Sequence, residues 1–151
     1  MSDREALPIP ESVIANIVTT LKNVSISGGY SVTLTPVERR TLPDNNPTPW
    51  KCVVSLEDPE LISDQPWPLC RQTLNFVVVV WVPTNEESAT SPDTLLQCVW
   101  ADIQRALYVD RYRGGYAENT RVLTPEYWSD AVSIRVECPC RFRADDPYLK
   151  G

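Results

Sequence analysis

The sequence predicts an α/β fold of the α+β kind: a mostly antiparallel four-stranded sheet with two amphipathic helices on one face, in the order α-β-β-β-α-β. Three observations carry that expectation. Residues 10–24 and 91–109 repeat apolar side chains at helical spacing. Residues 50–57, 69–82 and 132–143 alternate with a period of two. The stretches between are broken by proline, with fourteen prolines against five glycines, so long, stiffened connections join the elements.

Pro10 and Glu11 open the first helix, on which Val13, Ile14, Ile17, Val18 and Leu21 share a face. Gly28-Gly29 is expected to end it, and Tyr30 to Val37 to form the first strand. Residues 42–49, carrying "PDNNPTP", exclude regular structure. Trp50, Cys52, Val54 and Leu56 then alternate with Lys51, Ser55 and Glu57, which marks a half-buried strand. "DPELISDQPWP", residues 58–68, reads as a second proline-broken connection.

From Leu69 to Val82 the chain predicts a strand with Leu74, Phe76, Val78, Val80 and Val82 on one face. Its other face begins polar at Arg71, Thr73 and Asn75 and turns apolar at Val77, Val79 and Trp81. A strand apolar on both sides needs two covers. Helices supply one, and either another subunit or a loop of the same chain supplies the other.

Ser91-Pro92 is a helix start, a capping hydroxyl followed by proline at the first helical position. Leu95, Leu96, Val99, Trp100, Ile103, Ala106 and Leu107 mark the buried face of a helix reaching Val109. Gly114-Gly115 signals a turn, and Val122-Leu123 a short hairpin arm. The last strand is the clearest element: Val132, Ile134, Val136, Cys138, Cys140 and Phe142 fall on one face, with Ser133, Arg135, Glu137, Pro139, Arg141 and Arg143 on the other. Pro139 lacks a ladder donor, which places this end of the strand at a free edge or a bulge.

The 151 residues suit a single domain, 1–151, and a domain of that size buries roughly 70% of its unfolded surface. Net charge is −6 with no histidine, which argues against general affinity for nucleic acid through a basic surface. The opening "MSDREALPIP" lacks the apolar core of a signal peptide, and the longest apolar run, Phe76 to Val82, is far short of a membrane span. Synthesis in the cytoplasm without export is expected, with no membrane partner. Five cysteines, at 52, 70, 98, 138 and 140, are then expected as reduced thiols.

Catalytic and metal chemistry find little support. Zinc wants four ligands from paired Cys or His motifs, whereas the chain offers one Cys-x-Cys pair and no histidine. Asp145-Asp146 and Glu86-Glu87 lack the further oxygen ligands at fixed spacing that calcium requires. Nucleophile-elbow and phosphate-loop patterns are missing. The expectation is a non-enzymatic protein without cofactors.

Two groups of residues stand out as interface candidates. The first is arginine: Arg111, Arg113 and Arg121 around Gly114-Gly115, Arg39 and Arg40 beside the first long loop, and Arg141 and Arg143 on the outer face of the last strand. Eleven of the fourteen basic residues are arginine. The second is tryptophan: Trp50, Trp67 and Trp128 sit at loop and strand margins, where interface anchors occur. Solvated charge and core packing are the competing readings for the two groups.

With an N-terminal amphipathic helix ending near Gly29-Tyr30, the stretch "DIQRALYVDRYRGGYAENTRV", and a final strand closing near Asp146-Pro147-Tyr148, the chain resembles the tail terminator (minor tail, or tail completion) proteins of long-tailed bacteriophages. The resemblance covers nearly the whole chain and rests on element order more than on any motif. It implies helices on a mostly antiparallel sheet, assembled as a hexameric ring that caps the tail tube, stops its polymerisation and joins it to a head-side connector or stopper protein. Tail tube protein, connector and further copies of the chain would be its partners, and the neck of the virion its location. DNA would pass through the lumen without specific binding, which suits an acidic protein. The proline-rich loop, residues 43–68, departs from the family pattern and leaves the form of the neighbour-contacting hairpin open. Two other readings remain: another neck component, such as a connector or stopper, and a small cytoplasmic ligand-binding domain.

Overall fold

A computed structural model describes residues 4–39, 47–62, 66–84 and 90–151. Helix α1 (Ile9–Lys22) follows Pro8, whose carbonyl accepts the Ser12 N–H at 3.0 Å. Ile9, Val13, Ile14, Ile17 and Leu21 form its buried face. The helix ends at Asn23, earlier than the glycine pair predicts. Gly28-Gly29 instead closes a separate turn in which Gly28 and Tyr30 both donate to the Ser25 carbonyl, with Gly29 at φ 92°.

The strand expected from Tyr30 to Val37 does not form. Its backbone groups are committed elsewhere: the Ser31 and Val32 N–H groups go to the Asp102 carboxylate at 2.9 and 3.1 Å, and the Leu34 N–H goes to the Val24 carbonyl at 3.1 Å. Pro36 has no N–H to offer. Only β1 (Val37–Arg39) is extended, and it runs parallel to β2 (Cys52–Leu56). The expected connection at 58–68 contains a short strand, β3 (Glu60–Ile62), paired antiparallel with β4 (Leu69–Trp81).

After α2 (Pro92–Val109) and a short 3₁₀ turn at Arg113–Gly115 come β5 (Arg121–Val122), β6 (Glu126–Tyr127), β7 (Ala131–Arg143) and β8 (Asp146–Lys150). The sheet runs β1-β2-β4-β7-β5, with β3 also on β4 and with β6 and β8 also on β7. It is mixed, because the β1–β2 pair is parallel, and otherwise antiparallel. The four-strand expectation is therefore too small: short strands flank the long pair. Ser91 precedes α2 as predicted, but its hydroxyl meets the Thr94 hydroxyl at 3.0 Å rather than capping a backbone N–H.

Strands β4 and β7 pair along thirteen residues, from Leu69–Arg143 to Trp81–Ala131. Strand β7 follows its predicted alternation: residues 132, 134, 136, 138, 140 and 142 are all buried. Both helices pack on that face, over Phe76, Val78, Val80, Ile134 and Val136. Burying each such side chain contributes about 1.5–3 kcal/mol, so this layer dominates the stability.

The free edge expected near Pro139 is not there. Strand β4 lines one side of β7 throughout, while β5, β6 and β8 share the other. Pro139 lies opposite Thr73, and its carbonyl accepts the Glu118 N–H at 2.8 Å. Carbonyl and N–H of one residue point to the same side of an antiparallel strand. The donor that Pro139 lacks is thus missing from the 118 loop side, not from the β4 ladder. The register irregularity lies three residues on, between Phe142 and Arg143, where β8 joins.

On the opposite face of the sheet, Val53, Val79 and Ala131 are fully buried within the chain itself. The two-sided centre of β4 therefore has its cover without a second subunit. Around this patch the face is polar, and Glu57 pairs with Arg135 at 2.7 Å and Arg121 with Glu137 at 3.5 Å.

Candidate interaction surface

The arginines do not converge into one site. Arg39 ends β1 and pairs with Glu11 of α1, and Arg40 lies outside the described residues. Arg121 meets Glu137 across the β5–β7 pair. Arg141 and Arg71 share Glu118, at 3.7 and 2.7 Å, and Arg143 meets Asp145 at 2.9 Å. That pairing holds the Arg143 pKa above its ordinary value and the Asp145 carboxyl below its own, so both stay charged. Half-exposed pairs of this kind contribute under about 1 kcal/mol each, so they order the surface more than they stabilise the fold.

Arg111 and Arg113, two residues apart, have opposite fates. Arg111 is exposed, donating to Asn119 Oδ1 at 3.0 Å and lying over the Tyr108 ring. Arg113 is completely buried. Its Nη2 donates to the carbonyls of Leu107 and Asp110, at the C-terminal end of α2, and its Nη1 to the Thr20 hydroxyl of α1 at 3.5 Å. A cation at this end of a helix answers its unpaired carbonyls and its dipole. Burial pulls the Arg113 pKa down from its usual value, against the pull of Cys138 and Asp110. Arg113 is consequently a structural tie between the helices, not an available interface arginine.

Gly114 and Gly115, at φ 71° and 90°, reverse the chain just beyond it. Asp110 holds the reversal from the other side, accepting the Tyr112 N–H at 3.0 Å and the Gly114 N–H at 2.6 Å.

The three tryptophans also separate. Trp50, at φ 70°, is half-buried against the core, with its N–H on the Trp81 carbonyl at 2.7 Å. Trp67 is 79% exposed, between Pro66 and Pro68 at the entry to β4. Trp128 is 44% exposed and walls a groove of 430 Å³ together with Pro92, Asp93, Leu96, Gln97, Tyr127 and Ser129. The N-terminus of α2 forms one side of this groove and the β6–β7 turn the other. Trp128 is held in place by its N–H on the Ala131 carbonyl at 2.8 Å and by Nε1 donating to Glu126 at 3.4 Å.

No family model matches the chain, and no curated protein matches it.

Asp93 is the only ionisable side chain lining the groove. Hydrogen bonds, first from the Ser91 hydroxyl and then from the Thr94 N–H, hold its pKa below the ordinary value. Glu126 and Asp130 flank the aromatic pair. The surface is thus apolar and acidic at once, suited to an apolar anchor accompanied by positive charge rather than to an anion.

Sequence reasoning had named Trp128 but missed its partners Pro92, Leu96 and Tyr127. The adjacent pair Tyr127-Trp128 was the available signal, since two neighbouring aromatic residues cannot both point into a sheet's core.

The cysteines offer no reactive centre. Burial pushes the Cys52 thiol up to about 12 and the Cys138 thiol up to about 11, the latter despite the Thr120 hydroxyl and Arg113. Cys140 is pushed up to about 12, by burial first and by Cys138, Glu118 and Cys70 next. Among the described residues no three Cys, Asp or Glu side chains gather to hold a metal ion, and no helix is long and apolar enough to cross a membrane.

Proposed function

We propose that the chain is a tail terminator of a long-tailed bacteriophage: a structural protein that assembles into a ring on the tail tube, ends its polymerisation and presents a surface to the head-side connector. The observation that carries this reading is the layered architecture, with α1 and α2 on one face of a mostly antiparallel sheet built on β4 and β7. It supports the element order on which the resemblance rests, and the acidic charge of −6 suits a lumen through which DNA slides.

The partner surface in this reading shifts away from the arginine turn. Arg113 is committed to the fold, whereas Trp67 and the Trp128 groove expose aromatic surface of the kind that anchors protein interfaces.

Electron microscopy of purified virions carrying a label on this chain tests the proposal. Label at the junction between tail and head is expected, along with overlong tails when the gene is removed. A neck without the label, or normal tails without the gene, overturns it.

A further inference from the structure

Trp67 and the groove at Trp128 stand at opposite ends of one ladder. Trp67 lies two residues before Leu69, which pairs with Arg143, while Trp128 lies three residues before Ala131, which pairs with Trp81. Thirteen paired residues at about 3.4 Å each set the two ends roughly 40 Å apart. One end is a protruding ring and the other an open recess of 430 Å³.

Their charges are complementary as well. Around Trp67 stand Arg71, Arg141 and Arg143, three guanidinium groups answered by two carboxylates, Glu118 and Asp145. Around the groove stand Asp93, Glu126 and Asp130. A contact between two copies of the same end would set like charges against each other, which disfavours it. A contact between unlike ends sets arginine against carboxylate and an exposed indole against Pro92, Leu96 and Tyr127.

We propose that the Trp67 end of one copy seats in the Trp128 groove of the next, making a head-to-tail contact between copies of this chain. This rests on the ring assembly proposed above and names the two surfaces that meet in it. The two patches lie on different parts of the molecule, so the contact is heterologous and repeats until the rotation closes it. Trp67 supplies the apolar anchor, Asp93 and Gln97 its polar rim, and the arginine and carboxylate groups fix which end meets which.

Sedimentation across a concentration series, with the full chain and two variants, tests it. Trp67→Ala removes the anchor, and Gln97→Arg puts bulk and positive charge into the groove. Both positions are exposed, and circular dichroism checks that each variant folds. Each alone is expected to weaken self-association by about thirtyfold, the loss of a buried tryptophan anchor. Mixed in equal amounts, they regain one intact contact, Trp67 of the groove-blocked copy in the groove of the Trp67→Ala copy, and form a dimer that grows no larger.

A wild-type chain that stays monomeric throughout, a variant that associates like the wild type, or a mixture that does not pair overturns the contact. If the variants associate normally while the label still marks the neck, this contact is wrong and the assembly reading stands. If the complementation succeeds while the neck is unlabelled, the contact stands and the tail terminator reading falls.

Discussion

The Asp102 carboxylate of α2 accepts the Val32 N–H at 3.1 Å, across seventy residues of sequence. The same oxygen takes the Ser31 N–H at 2.9 Å. One buried charged side chain thereby fixes the segment between α1 and β1, and explains why that segment is not a strand. Asp102→Ala leaves two N–H groups without their acceptor and is expected to lower unfolding free energy by about 2 kcal/mol. Urea titration checks this, and a midpoint equal to the wild type's would show that water replaces the carboxylate without loss.

Arg111 and Arg113 should respond very differently to the same change. Arg113→Ala removes a buried cation from the Leu107 and Asp110 carbonyls and is expected to destabilise by about 3 kcal/mol. Arg113→Glu, which sets a carboxylate against carbonyl oxygens, should prevent folding. Arg111→Glu loses only an exposed bond to Asn119 and a distant ring contact, for less than about 1 kcal/mol. Thermal melts of the variants read the contrast.

Thiol labelling reports the core directly. At pH 8 the native chain should react quickly only at the half-buried Cys70 and Cys98, since Cys52, Cys138 and Cys140 are buried and hold their protons up to about pH 11–12. Only the thiolate is an efficient nucleophile. All five should react in denaturant, and mass spectrometry of the labelled peptides would identify any early reaction at Cys138 or Cys140.

Asp110 gives the fold an acid-sensitive corner. The Gly114 N–H above all, then the Tyr112 N–H and the Arg113 charge, hold its carboxyl below the ordinary range against an opposing push from burial. A depressed folded pKa stabilises above the unfolded value, about 3.9, and the gain fades as pH falls through the folded value. Asp110→Asn should therefore melt below the wild type at pH 7, and the gap should close as the pH drops below about 4. A gap that stays constant would mean that the carboxylate charge contributes nothing.

The elements legible in the sequence are those long enough to show a period. In β7 every second residue from Val132 to Phe142 is buried, and α1 and α2 lie within two residues of their predicted bounds at nearly every end. Strands β3, β5, β6 and β8 were hidden because each is five residues or fewer, too short for alternation to register. They form because the edges of the long β4–β7 pair hold N–H and C=O groups that need partners. Arg113 could not be told from Arg111 by residue type. Only the reversal at Gly114-Gly115 turns one inward and leaves the other out, so burial there belongs to the tertiary fold.

The β4–β7 ladder has a mechanical meaning too. Tension along the strands loads all thirteen residue pairs in shear, and their hydrogen bonds must give way together. Force across β5 or β6 meets two pairs each and peels them singly. The line from Trp67 to Trp128 follows the stiff direction, so copies joined at those ends would form a chain whose compliance lies in its joints rather than in its links.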